Sequence, residues 1–213
     1  MNHLQVMGIQ RYEQRHVPME KENTTVPNWE TLQSCVAACT ACSLHQTRTQ
    51  TVFGVGNREA KLMIIGEAPG FHEDQQGEPF VGRAGQLLTA MIKTIGFQRS
   101  DVYIANILKC RPPNNRDPNA EEVAQCTKFL DQQIALIQPR LLLAVGRIAS
   151  HYLLNTKSSL ESLRNKIHSY GGDNTPLIVT YHPAYLLRNP ADKKKAYGDL
   201  LFTQKTLGNT TSF

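Results

Sequence analysis

What this chain lacks narrows the field first. It has no long apolar run; stretches such as Leu141–Val145 fall far short of the roughly 20 residues that span a bilayer. The N-terminal residues are polar and carry charge throughout, unlike a secretory leader, so the protein is expected to be cytoplasmic and to engage no membrane. A GxGxxG phosphate turn is missing, which weakens a reading as a nucleotide-binding α/β protein. The cysteine pattern of a secreted disulfide scaffold is missing too. Five cysteines, an odd number, in a chain read as cytoplasmic point to metal or cluster ligation. Acid is in deficit: 18 Asp and Glu against 23 Lys and Arg leave a net charge of +5, which favours a polyanionic partner. The basic residues gather in loops, at Arg83, Lys109, Arg111, Arg116, Arg188 and Lys193 to Lys195, as phosphate contacts would.

What is present centres on residues 62–85. Leu62 to Ile65 have the composition of a buried strand, and Gly66-Glu67-Ala68-Pro69-Gly70 then forces a sharp turn. A carboxylate, Glu67, therefore stands on the lip of a buried strand. A polar loop follows, with an aromatic in a second turn, Pro79-Phe80-Val81-Gly82, before a helical run from Ala84 to Ile95. Loops of this kind, between a buried strand and a helix, are where α/β proteins keep their chemistry.

The remaining chain repeats that rhythm. Residues 1–28 show no apolar period and read as a loosely ordered arm, and residues 29–213 read as one domain. Trp29, Leu32 and Val36 predict a short amphipathic helix that ends at the turn Cys39-Thr-Ala-Cys42. Strands are predicted at Val102–Leu108, Leu141–Val145 and Leu177–Tyr181. Helices are predicted at Asn119–Ile137, with Asn119 as its cap, at Gly146–Leu154 and at Asp192–Thr206. Lys166–Tyr170 alternates like an edge strand. Strands alternating with helices imply an α/β three-layer sandwich: a central, mainly parallel four-stranded sheet with helices on both faces.

In such sheets ligands bind beyond the carboxyl ends of the strands. Those ends carry Glu67, Asn106, Gly146 and His182, which parallel strands bring to one crevice. Asn106 is a polar amide in the apolar context Ile104-Ala-Asn-Ile-Leu. Its donor and acceptor match the N3–H and O4 edge of uracil, whereas cytosine shows the opposite pattern. His182, beside Pro183, can donate a hydrogen bond to a developing anion, and Phe80 can stack on a planar base. Four thiols suit an iron–sulfur cluster or a structural zinc. Cys35 competes with Cys39 for the first position, and the commoner Cys-x-x-Cys turn favours Cys39 with Cys42.

Gly66-Glu-Ala-Pro-Gly followed by Glu73-Asp74, Pro79-Phe-Val-Gly, Tyr103-Ile-Ala-Asn-Ile-Leu-Lys-Cys-Arg-Pro-Pro and His182-Pro-Ala-Tyr-Leu-Leu-Arg-Asn-Pro together resemble the iron–sulfur (type 4) uracil-DNA glycosylases. The resemblance runs from about Ser34 to Leu201. It implies a [4Fe-4S] cluster on Cys39, Cys42, Cys110 and Cys126. It implies a uracil pocket at Gly66, Ala68 and Pro69, with Phe80 stacking, Asn106 reading the base, Glu67 as the main catalytic carboxylate and His182 near uracil O2. Glu73 matches a residue that helps to exclude the thymine methyl group and to order water. Ala68 departs from members with glycine there, and Arg111 to Pro118 lacks the histidine of relatives that are trapped covalently on DNA. The expected partner is uracil-containing DNA, double- or single-stranded, bound by a monomer. Leu186, expected to be exposed, would wedge into the space left by the everted nucleotide, and Arg188 would hold phosphate. The rival reading is a non-catalytic iron–sulfur module that binds nucleic acid.

Overall fold

The computed structural model describes residues 28–209. The expected N-terminal arm therefore lies outside the described residues, except for Asn28, whose side chain caps the first helix by accepting from Thr31 N at 2.8 Å.

Largely buried, mostly apolar strands build the centre. β1 is Val55–Gly56, β2 is Leu62–Gly66, β3 is Tyr103–Asn106, β4 is Leu141–Val145, β5 is His168–Tyr170 and β6 is Thr175–Thr180. They form one six-stranded sheet in the order β1-β3-β2-β4-β6-β5. The expected four-stranded parallel sheet is its middle, β3-β2-β4-β6, and an antiparallel strand is added at each edge. The two additions are two and three residues long and are not buried; β5 falls within the edge strand expected at Lys166–Tyr170, whereas β1 is too short to show a pattern.

Among the described residues there are eight α-helices: α1 Trp29–Ala37, α2 Phe71–Gln76, α3 Arg83–Lys93, α4 Ala120–Ile137, α5 Arg147–Leu153, α6 Leu160–Leu163, α7 Pro183–Arg188 and α8 Lys193–Asn209. Side-chain alternation along the strands splits the core in two. Met63, Ile65, Leu142, Ala144 and Val179 face α1, α4 and α5. Leu62, Ile64, Ile104, Leu143 and Ile178 face α3, α7 and α8. The coarse expectation of helices on both faces of a largely parallel sheet holds. Among the described residues no helix is long and apolar enough to cross a membrane.

The long helix α4 starts where its sequence says it should. Asn119 Oδ1 accepts from Glu122 N at 2.8 Å, and Glu122 Oε2 accepts from Asn119 N at 3.0 Å, a reciprocal cap. Helix α2, by contrast, is a six-residue helix inside the polar loop that begins directly after Gly70, too short to show an apolar period in sequence.

The topology fixes where a ligand can sit. From β2 the chain crosses to β3 on one side, then returns to β4 on the other side of β2. Gly66 pairs with Asn106, and Val145 pairs with Thr180. The carboxyl ends of all four parallel strands are therefore level at the switch point, where open α/β sheets bind ligands.

Candidate active site

A crevice of about 1000 Å³ opens over those strand ends. Glu67, Ala68 and Pro69 line it from the turn after β2, Asn106 from the end of β3, Gly146 from the end of β4, and His182 and Arg188 from the turn after β6 and from α7. Glu73 and Phe80 close it from the loop before α3. The residues singled out in sequence at four separate strand ends thus meet in one place, with room for a nucleotide and its flanking backbone.

Close packing sets the floor of the crevice. A Cβ at position 66 would collide with Asn106 Oδ1 and with the Phe80 ring, so only glycine lets those two side chains share the space over the strand. Phe80 itself has φ of 55°, and Gly85 is the residue on which its carbonyl rests; a Cβ there would overlap that oxygen. Glu73 holds the same loop, as its Oε1 accepts from Val81 N at 3.0 Å and from Gly82 N at 3.1 Å. Arg99 supports it from behind by donating to the Pro79 carbonyl. The Phe80 and His182 rings lie 5.7 Å apart, tilted by 32°. A buried aromatic face, an amide and an imidazole therefore converge.

Asn106 Oδ1 is buried without a hydrogen-bond partner. Native structures seldom leave such an atom unmatched, and one that faces a crevice is an acceptor waiting for a ligand donor. Its backbone is held from beneath. Lys109, 1% exposed, donates through Nζ to the Asn106 carbonyl at 2.9 Å and to Gln133 Oε1 at 2.6 Å. Gln133 in turn donates to the Phe53 carbonyl at 2.9 Å and to the Tyr103 hydroxyl at 3.2 Å. Lys109 is thus a correction to the sequence reading: it lies inside the protein, where burial pulls its ammonium down to about 8, and it is not part of the basic surface. Arg116, another of the expected phosphate contacts, is engaged bidentately by Glu122, at 2.6 and 2.9 Å.

Two titratable groups in the crevice are displaced toward use. Burial raises the Glu67 carboxyl to about 7, nearby Asp117 adds to the rise, and Arg147 opposes it. Asp117 and Arg147 form an ion pair at 3.3 Å on the rim, and neither was singled out in sequence. Burial lowers the His182 imidazole to about 4, Arg188 lowers it further, and Glu73 opposes the shift. His182 Nδ1 accepts from Ala184 N at 3.1 Å as the cap of α7. The neutral ring therefore carries its proton on Nε2, as a donor.

The expected wedge is not where the sequence put it. Leu186 is 1% exposed and packs in the core against α3 and α8, while Leu187 is 38% exposed. The helix that starts at Pro183 turns position 186 inward and leaves position 187 outside.

A second, smaller cavity is lined by Cys39, Cys42, Cys110 and Cys126, together with Val36, Arg48 and Phe129. Cys35 is exposed on α1 and does not line it. Among the described residues no three His, Cys, Asp or Glu side chains converge as a single-ion site; the four thiols surround a space instead. N–H donors already address two of the sulfurs. Arg48 donates to Cys110 Sγ at 3.1 Å, and Lys109 N donates to Cys126 Sγ at 3.2 Å. Four thiols with such donors fit the ligand set of an iron–sulfur cluster. Burial pushes the Cys126 thiol up to about 11, so loading the cavity would have to displace its proton.

Comparison with known proteins agrees with this geometry. Residues 53–202 match the model of the uracil DNA glycosylase superfamily. The chain is 46% identical over 166 residues to the type-4 uracil-DNA glycosylase of Thermotoga maritima, covering 77% of this chain and 85% of that protein. It is 42% identical over 170 residues to the type-4 uracil-DNA glycosylase of Archaeoglobus fulgidus, with the same coverage, 77% and 85%. Similarity to a type-5 uracil-DNA glycosylase of Pyrobaculum aerophilum is lower, 29% identity over 146 residues. With a family match across well over half of the chain and relatives above 40% identity, the chain belongs to the uracil-DNA glycosylase superfamily, among its type-4 members.

Proposed function

We propose that the protein hydrolyses the N-glycosidic bond of uracil in DNA and so starts base-excision repair. The observation that carries this reading is the single crevice shared by Glu67, Asn106 and His182, with an unmatched acceptor on Asn106 inside it. Chemistry on a base needs the nucleotide out of the stack, at a cost of a few kcal/mol that pocket contacts must offset. Phe80 stacks on the everted ring. Asn106 Oδ1 takes N3–H of uracil and its amide nitrogen gives to O4; cytosine, with the reverse pattern, leaves both unpaired in a buried site.

As the bond breaks, the sugar gains positive charge and the base becomes an anion. His182 Nε2–H donates to uracil O2, where that charge gathers. Glu67, as carboxylate, orders the attacking water and favours the cationic sugar. Glu73 acts through the Val81 and Gly82 amides, holding Phe80 against the base; the methyl-excluding role implied for it would act from the same position. Arg188, exposed at the mouth, holds phosphate. The [4Fe-4S] cluster would be held by Cys39, Cys42, Cys110 and Cys126 and would tie the 39–48 loop to the β3 extension and α4.

A single-uracil oligonucleotide, incubated with the protein and then with alkali, is expected to break only at the uracil. The same sample is expected to be brown, with about four irons per chain. DNA binding without base release would leave the non-catalytic module as the surviving reading, and a colourless zinc-loaded protein would overturn the cluster.

The wedge passes to Leu187. Leu187→Ala is expected to slow excision from duplex DNA about tenfold and to leave excision from single strands unchanged, because only the duplex leaves a gap to fill. Leu186→Ala is expected instead to destabilise the fold by about 2–5 kcal/mol, as loss of a buried leucine does. Thermal melts and excision rates on the two substrates separate the roles.

A further inference from the structure

On the rim of the crevice the chain exposes an aromatic ring that neither the core nor the base pocket uses. Phe71 opens α2 directly after Gly70, a crevice residue, and keeps 52% of its surface in water. Single exposed apolar residues are common, but this one is paired. The Arg111 guanidinium lies over its ring, 5.1 Å from the centroid. Arg111 is fixed in turn: its Nε donates to Asn115 Oδ1 at 2.8 Å, and both Asn115 and the adjoining Pro112 line the crevice. The His72 ring meets Phe71 at 5.5 Å, nearly perpendicular at 79°. The loops that follow β2 and β3 thus carry between them an aromatic ring and a planar cation, beside the place where a nucleotide is processed.

That pairing is the recognition chemistry of single-stranded nucleic acid, in which bases stack on aromatic faces and cations follow the backbone. Phe71 is four residues from Glu67, so the two backbones are at most about 14 Å apart, within reach of the nucleotide next to the everted one. In a duplex that neighbour stays paired and stacked on its own helix. In a single strand its base is free to leave.

We propose that Phe71 and Arg111 form a stacking platform for the base that adjoins uridine in single-stranded DNA, with Arg111 facing the phosphate between the two nucleotides. The platform adds affinity for single strands and little for duplexes. The inference rests on uracil excision in the crevice and is independent of which residues catalyse it.

Steady-state excision by the full chain, purified with its cluster, tests this on matched single- and double-stranded uracil oligonucleotides. Phe71→Ala is expected to raise KM on the single strand about 5- to 100-fold, with kcat on the single strand and KM on the duplex each within about twofold of wild type, and Phe71→Trp is expected to restore the single-strand KM. Anisotropy with a uracil-free thymidine oligonucleotide is expected to show the same loss in Phe71→Ala. Unchanged single-strand KM and binding in Phe71→Ala, or an equal loss on both substrates, overturns the platform. A wild-type protein that releases no uracil overturns the excision reading instead, and the uracil-free binding measurement still judges the platform on its own.

Discussion

His182→Ala is expected to lower kcat for uracil release by about 100- to 1,000-fold, the effect of removing one well-placed donor from a developing anion, while KM changes less than about threefold. The geometry fixes the reason. Nδ1 is occupied by the Ala184 amide, so the proton of the neutral ring sits on Nε2. Burial keeps the imidazole neutral down to about pH 4, far below its ordinary 6.5. A neutral donor is present throughout the physiological range, and titration of His182 does not shape the activity profile between pH 5 and 8. The alanine variant is therefore slow at every pH, with an unaltered profile. A kcat close to wild type would remove His182 from the reaction.

The same shift has a consequence for folding. Between pH 6.5 and about 4 the unfolded chain binds a proton at this position and the folded chain does not. Stability therefore falls as pH drops through that window. Melting temperatures of His182→Ala lack this part of the acid slope, which separates the ring's role in the fold from its role in the reaction.

Much of this arrangement is legible in the amino-acid order because period and local chemistry agree. Leu62–Ile65 and Leu141–Val145 are apolar on both faces, as strands covered by two helical layers must be. Asn119 and Glu122 announce the start of α4 three residues apart. Once parallel strands are inferred, the convergence of Glu67, Asn106 and His182 follows from topology, without knowledge of any distance. What stays hidden depends on rotation and on partners remote in sequence. Whether Leu186 or Leu187 faces solvent turns on the start of a six-residue helix, too short to show a period. Lys109 reads as one more basic loop residue until Gln133, 24 positions away, is found against it. Arg164 and Asp199, a buried pair at 2.8 and 3.0 Å that anchors α8 beneath the His182 turn, carry no signal beyond two ordinary charges. Of the edge strands, β5 shows in the alternation of Lys166–Tyr170, whereas β1 stays obscure because two residues are enough to pair but too few to alternate.

Glu67 is the residue for which pH decides between function and fold. Its carboxyl is raised to about 7, chiefly by burial and secondarily by Asp117, and the mechanism needs the ionised form. Accordingly kcat/KM is expected to climb with pH through about 7 and to level off above it. Glu67→Gln, isosteric but unable to ionise, is expected to lose about 100-fold or more and to show no such limb. The rim pair tunes the midpoint: Asp117→Asn moves it down, and Arg147→Met moves it up. Folding responds with the opposite sign. Between pH 4.5 and 7 the folded chain holds a proton that the unfolded chain has released, so this group's contribution to stability falls as pH rises through that window and stays unfavourable above it. Glu67→Gln is free of that penalty. It is expected to melt a few degrees above wild type at pH 8 and to match it near pH 4.5. A variant slower in turnover yet more stable only on the alkaline side identifies a half-buried carboxylate held for its chemistry at the expense of the fold. If the pH limb persists in Glu67→Gln, another group owns it and the catalytic assignment of Glu67 falls.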